Sequence, residues 1–135
     1  MMATFPLKIV APDGLKFEGQ VQQLSVRTTT GEMGILAGHI NCVAPLGMGR
    51  ATIITEDQTR YAACIGGMVS MINGAATLVP TSFELAEDID LERAIRSEGR
   101  AQAVLLQKNA SKVDIKLAEA RLRRSLVRQS VAGKK

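Results

Sequence analysis

Met68-Val69-Ser70-Met71-Ile72-Asn73-Gly74-Ala75-Ala76-Thr77-Leu78-Val79 places two short apolar runs on either side of Asn-Gly. Both residues of that dipeptide tolerate positive φ, which a tight hairpin demands, so the stretch predicts two antiparallel strands joined by a two-residue turn. Working outward, Phe5–Val10, Ala51–Thr55 and Arg60–Ile65 are further strand candidates, and Leu24 and Val26 alternate with Gln23, Ser25 and Arg27 at the period of a half-buried strand. Pro12-Asp13-Gly14 and Glu56-Asp57-Gln58 supply turn chemistry between them, while Gly47-Met48-Gly49 and Gly66-Gly67 read as turns. Short strands at this spacing predict a sandwich or barrel over residues 1–88.

Near residue 88 the pattern changes. Asp90 to Gln129 contains no proline and only one glycine, Gly99, and helix formers dominate. Asp90 is placed to cap a first helix, and a break falls at Asn109-Ala110-Ser111, with Ser111 capping a second and Asp114 at its third position. Ile115, Ala118, Leu122 and Leu126 make an apolar stripe on that second helix; Leu91, Ala94, Ile95, Ala101, Val104 and Leu105 are a looser one on the first. Two helices of about 18 residues with a short connection predict a helical hairpin over residues 89–135. It cannot bury both apolar faces alone, so it folds onto the β unit or binds a partner.

Aromatic residues are only 3% of the chain, so its core is built from aliphatic side chains. No apolar run approaches the ~20 residues that span a bilayer, and Met1 to Val10 carries no signal-peptide pattern, predicting a chain that stays where it is made. Cys42 and Cys64 sit in apolar surroundings outside any CxxC motif; with one histidine in the chain, buried reduced thiols are expected and no metal site. Residues 1–88 hold five Lys and Arg against eight Asp and Glu; residues 89–135 hold twelve against five. Arg121, Arg123, Arg124, Arg128, Lys134 and Lys135 end the chain with no acid among them. A solvated helix face, an acidic protein partner and a nucleic acid each fit that charge, but no aromatic residue is there to stack on bases, which disfavours nucleic acid. The sequence holds no GxSxG, HExxH, GxxxxGK[ST] or GxGxxG motif, and His39 has no acid near it in sequence to orient it. A non-catalytic protein is expected.

Five stretches together resemble one family. They are Leu7-Lys8-Ile9-Val10-Ala11-Pro12-Asp13-Gly14, Phe17-Glu18-Gly19-Gln20-Val21, Gly31-Glu32-Met33-Gly34-Ile35-Leu36-Ala37-Gly38-His39, Gly66-Gly67-Met68-Val69-Ser70-Met71 with Asn73-Gly74, and Ile89-Asp90-Leu91-Glu92-Arg93-Ala94. The chain is similar over residues 4 to 128 to the epsilon subunits of F-type ATP synthases, called delta in mitochondria. It departs from the family where Ile40-Asn41 replaces a frequent Ala-Pro after the histidine, which puts that loop's shape in doubt. The resemblance implies a β-sandwich of about ten strands followed by the helical hairpin. It implies a place in the central rotor of a proton-driven, ATP-synthesising complex. There the sandwich meets the gamma subunit and the c ring on the cytoplasmic face of a bacterial plasma membrane. The hairpin is then a regulatory part that in its extended form enters the alpha/beta catalytic head and opposes hydrolysis.

The resemblance also assigns residues. Glu32 and His39 are implied contacts to the c ring, against the plainer reading of a solvated turn acid and a loop-bonded imidazole. In relatives that bind ATP, the nucleotide is regulatory rather than a required cofactor. The matching positions here are Glu84, Ile89, Asp90, Arg93, Ala94, Arg100, Arg124 and Arg128. Arg121, Arg123, Arg124 and Arg128 are implied contacts to the acidic loop of the beta subunits. Arginines engaged on that loop cannot hold ATP at once, and such competition makes a switch. A stand-alone ligand sensor or nucleic-acid adaptor on the same plan is the competing reading, and co-purification with gamma separates the two.

Overall fold

The computed structural model describes residues 3–133, so Lys134 and Lys135 of the basic tail lie outside the described residues. Eight strands form the β unit: β1 (Phe5–Ala11), β2 (Gly14–Val21), β3 (Gln23–Thr28), β4 (Gly31–Leu36), β5 (Cys42–Pro45), β6 (Met48–Ile54), β7 (Thr59–Ile72) and β8 (Ala75–Leu85). They run in the order β2-β1-β8-β7-β6-β3-β4, with β5 added on β7. All pairs are antiparallel except β1 with β8. The sheet folds over itself as an open sandwich. Phe5, Leu7, Ile9, Val21, Leu24, Val26, Ile35, Ile53, Met71 and Leu78 fill the space between its layers.

The count is eight, where about ten was expected, and the reason lies in β7. Arg60–Ile65 and Met68–Ile72 are not two strands with a Gly66-Gly67 turn between them. They are one 14-residue strand. Its first half pairs with β6, its second with β5, and both halves pair with β8. Gly66 and Gly67 have φ of 66° and 101° and bend the strand without ending it. A Cβ on Gly67 would lie 2.0 Å from the Val79 carbonyl oxygen, so only glycine lets β7 and β8 approach there. Gly31 to Leu36 is likewise a strand and not a loop, paired with β3 in a register that sets Arg27 opposite Glu32. Met48 opens β6, so Gly47-Met48-Gly49 is not a free turn either.

The local signals hold where they are local. Asn73 and Gly74 both have positive φ between β7 and β8. Thr55 and Gln58 close the β6–β7 hairpin, the threonine hydroxyl accepting from one Gln58 backbone group and donating to the other.

A short 3-10 turn, Ala86–Asp88, leads to α1 (Leu91–Leu105) and α2 (Lys112–Ala132), of 15 and 21 residues. The Asp90 carboxylate accepts the Arg93 N–H at 3.1 Å, and Ser111 Oγ accepts the Asp114 N–H at 3.1 Å, so both caps are in place. α1 ends at Leu105, short of the break at Asn109. The stripe on α2 is displaced from its expected phase. Leu126 is 46% exposed, whereas its neighbour Ser125 is fully buried and donates to the Leu122 carbonyl at 2.8 Å. Buried positions on the hairpin are Ala94 and Ala101 on α1, and Ala118, Ser125, Val131 and Ala132 on α2. Most repeat every seven residues and carry small side chains, which allows the helices to approach closely and turns Leu91, Ile95, Leu117 and Leu126 outward. The end of α2 docks on the sandwich through a second core, in which Val131 and Ala132 meet Ala63, Ala86 and Ile89, with Tyr61 and Val127 at its edge.

Candidate functional site

Folding α2 back onto β7 carries both helices over the end of β8 and opens a cleft between the two parts. It encloses about 640 Å³. One wall is helical: Asp90, Arg93, Ala94, Ser97 and Arg100 from α1, and Arg128 from α2. The other is β structure: Thr81 to Glu84 of β8, and Pro12, Asp13 and Lys16 at the β1–β2 turn. Arg93, Ser97 and Arg100 fall three to four residues apart, so one face of α1 presents them in a row about 10 Å long.

The cleft carries four cations, Lys16, Arg93, Arg100 and Arg128, against Asp13, Glu84, Asp88 and Asp90. Some of these already satisfy each other. Arg128 Nε donates to Glu84 Oε1 at 2.5 Å, linking α2 to β8, with both side chains about two-thirds covered. Lys16 Nζ donates to Asp13 Oδ2 at 2.6 Å, and this hydrogen bond holds the Asp13 carboxyl below the usual aspartate range. Among the described residues the guanidinium groups of Arg93 and Arg100 have no ion pair within the chain. Two unpaired guanidiniums aimed into one cleft, with carboxylates and hydroxyls around them, suit an anionic ligand that also carries hydrogen-bond donors.

Of the residues assigned by resemblance to a nucleotide, Glu84, Asp90, Arg93, Ala94, Arg100 and Arg128 line this cleft together. Ile89 is buried in the docking core beside Val131, so it anchors the hairpin. Arg124 is half-buried and outside the lining. Lys16, Asp13, Ser97 and Asp88 line the cleft and were not singled out. Those on the β1–β2 turn are far from the helices in sequence, and only the tertiary fold brings them near. Arg121 and Arg123 are exposed on α2.

Two other surfaces bear on partners. At the β4–β5 turn, His39 Nδ1 donates to the Ile40 carbonyl at 2.9 Å, with Cys42 Sγ 3.8 Å from the same nitrogen. Leu36 and Ile40 project beside it, Ile40 77% exposed. Glu32 lies exposed, 3.8 Å from Arg27. Cys42 is half-buried rather than buried as expected; Cys64 is buried, and loss of hydration pushes its thiol up to about 12. On the outer face of β5, β7 and β8, Pro45, Met68 and Val79 are cross-strand partners in one row, and Val43 and Ile72 stand two residues away on the same face. Val43, Met68, Ile72 and Val79 are all exposed, a contiguous apolar patch that a free protein rarely leaves uncovered.

Residues 4–86 match the family of the ATP synthase delta/epsilon chain beta-sandwich domain, and residues 87–133 that of the delta/epsilon chain long alpha-helix domain. The chain belongs to the ATP synthase delta/epsilon chain family. It is 41% identical over 134 residues to the ATP synthase epsilon chain of Bacillus cytotoxicus, spanning 99% of this chain and 100% of that one. To the epsilon chain of Halalkalibacterium halodurans it is 39% identical over 133 residues, 98% and 100% of the two chains. In fold it resembles a chain in the cryo-EM structure of the Euglena gracilis mitochondrial ATP synthase, OSCP/F1/c-ring, with a TM-score of 0.83 at 22% identity. That match covers 100% of this chain and 84% of the other. A chain of the Tetrahymena thermophila mitochondrial ATP synthase central stalk/c-ring gives 0.67 at 10% identity, covering 97% and 98%. Among the described residues no helix is long and apolar enough to cross a membrane.

Proposed function

We propose that this chain is a non-catalytic central-stalk subunit whose helical hairpin restrains ATP hydrolysis and is held in its folded position by ATP. The observation that carries the regulatory part is the cleft. Arg93 and Arg100 of α1, Arg128 of α2 and Glu84 of β8 converge only while the hairpin lies on the sandwich. A polyphosphate binding all three arginines stabilises that state over any in which the helices separate, because only the folded hairpin offers the complete set.

The second state is supported by what the folded hairpin leaves uncovered. Leu91, Ile95, Leu106, Val113, Leu117 and Leu126 are exposed on the two helices, while the seam between them is lined by alanine and serine. The docking core is small and two of its five buried members come from α2. An extended hairpin would exchange that modest contact for burial of its leucines against the alpha/beta head, with Arg121, Arg123 and Arg124 available for an acidic loop there. Folded, the same helices are withdrawn.

For the stalk itself, the apolar patch of Val43, Met68, Ile72 and Val79 suits a gamma subunit, and the turn carrying Leu36, His39 and Ile40, with Glu32 nearby, suits the polar loops of a c ring. Such a subunit sits peripherally on the cytoplasmic face of a bacterial membrane. Thermal unfolding with and without ATP tests the regulatory reading. The melting temperature should rise with ATP more than with ADP. A ligand at 100 times its dissociation constant adds about 2.7 kcal/mol, and Arg93→Ala should remove most of that gain. No rise at millimolar ATP would reject nucleotide sensing and leave the stalk role standing.

A further inference from the structure

The cleft has a wall that the helical residues do not account for. Lys16 reaches it from β2, just past the turn at Gly14, and Asp13 from the turn itself. We infer that Lys16 is a phosphate-contact residue which exchanges Asp13 for the ligand, so that a nucleotide bound in the cleft joins the β1–β2 turn of the sandwich to α1 and α2. This rests on the reading of the cleft as a nucleotide site.

Three observations carry it. Lys16 is the cleft's only cation from the β unit, opposite the α1 row of Arg93 and Arg100. Its side chain is 29% exposed, so the stem is mostly covered and the ammonium is held at the rim of the cleft instead of trailing in solvent. Its present partner is 70% exposed, and an ion pair so wetted contributes little, so it yields readily to a ligand with several anionic oxygens. Asp13 then works against binding in two ways. It occupies the ammonium of Lys16, and it places a carboxylate that stays ionised beside an incoming phosphate.

The two halves of this pair therefore have opposite effects. A pair that merely stabilises the turn would respond alike to loss of either member. Isothermal titration with ATP, and with inorganic tripolyphosphate to isolate the phosphate contribution, separates the cases. Lys16→Gln should weaken both probes about tenfold, as expected for loss of a charge-assisted contact. Asp13→Asn should tighten both by about two- to threefold, and the double variant should behave like Lys16→Gln alone. Neither substitution should move the melting temperature of the free protein appreciably, since both positions are at the surface. Unchanged affinity in Lys16→Gln, or an Asp13→Asn effect in the same direction as Lys16→Gln, overturns the inference. If Arg93→Ala still weakens ATP in that case, the nucleotide reading survives alone. If the unaltered protein binds neither probe at millimolar concentration, both fail together.

Discussion

Truncating Val131 to alanine tests whether the hairpin opens as a unit. Val131 is fully buried, and it meets Ala63, Ala86 and Ile89 in the small core that fastens α2 to the sandwich. Removing two methyl groups from such a site costs about 2 kcal/mol, counting lost burial and the void left behind. None of that cost falls on the main core, where Leu7, Ile9, Leu78 and Met71 have no contact with α2's end. The opening equilibrium of the hairpin should therefore rise about thirtyfold while global unfolding is little changed. Native-state hydrogen exchange reads both. Amides of α2 near Ser125 should lose protection by that factor, and amides of β1 and β8 should keep theirs. Adding ATP should restore most of the α2 protection, because the ligand favours the closed arrangement. If β1 and β8 lose protection equally, hairpin and sandwich unfold as one cooperative body, and the idea of a detachable regulatory part is wrong.

Gly67→Ala should cost more than about 3 kcal/mol or prevent folding, since the backbone there has φ of 101° and the new methyl meets the Val79 carbonyl; near-native thermal stability would refute the role of this bend. Cys64 should resist alkylation at pH 8 in the native protein while Cys42 reacts, as mapped by mass spectrometry. Because folding raises the Cys64 value to about 12, the unfolded chain releases its proton first as pH climbs above about 9, so stability should fall with rising pH between those values. Cys64→Ala should flatten that slope. A chain ending at residue 88 should fold and still retain gamma in a pull-down. In reconstituted complexes at low ATP, loss of residues 89–135 should raise hydrolysis, and neutralising Arg121, Arg123, Arg124 and Arg128 should raise it less; an unchanged rate would assign the hairpin a purely structural role.

What the sequence determined by itself is what short-range chemistry decides. Asn73-Gly74 sits in the hairpin it predicts, because positive φ at two successive residues is a property of those residues. Asp90 and Ser111 cap the helices they precede, because a cap needs only a backbone N–H three residues on. The change of period near residue 88 separates β structure from helix for the same reason. The arginines and acids of the cleft were also legible, since Asp90, Arg93, Ala94 and Arg100 lie on one turn-by-turn face of α1, although their meeting with Glu84 and Arg128 was known only through resemblance to a family.

The tertiary structure decided the rest. That β7 runs unbroken through Gly66-Gly67 depends on its pairing with β8 across the bend, and no local preference records a partner strand. Gly31 to Leu36 is a strand because β3 supplies its hydrogen bonds, whereas its glycines suggest a loop. On α2 the periodicity was right and the phase was wrong. Leu126 had the hydrophobicity, but the facing helix and sandwich leave room only for Ser125 and the alanines, and close approach selects small side chains over large ones. Lys16 entered the cleft by the same route. Its neighbours in the chain give it a hairpin turn and an aspartate, and only the docking of the helices over β8 sets Arg93 and Arg100 across from it. Pairing, packing and enclosure depend on residues distant in the chain, whereas turns and caps depend on neighbours.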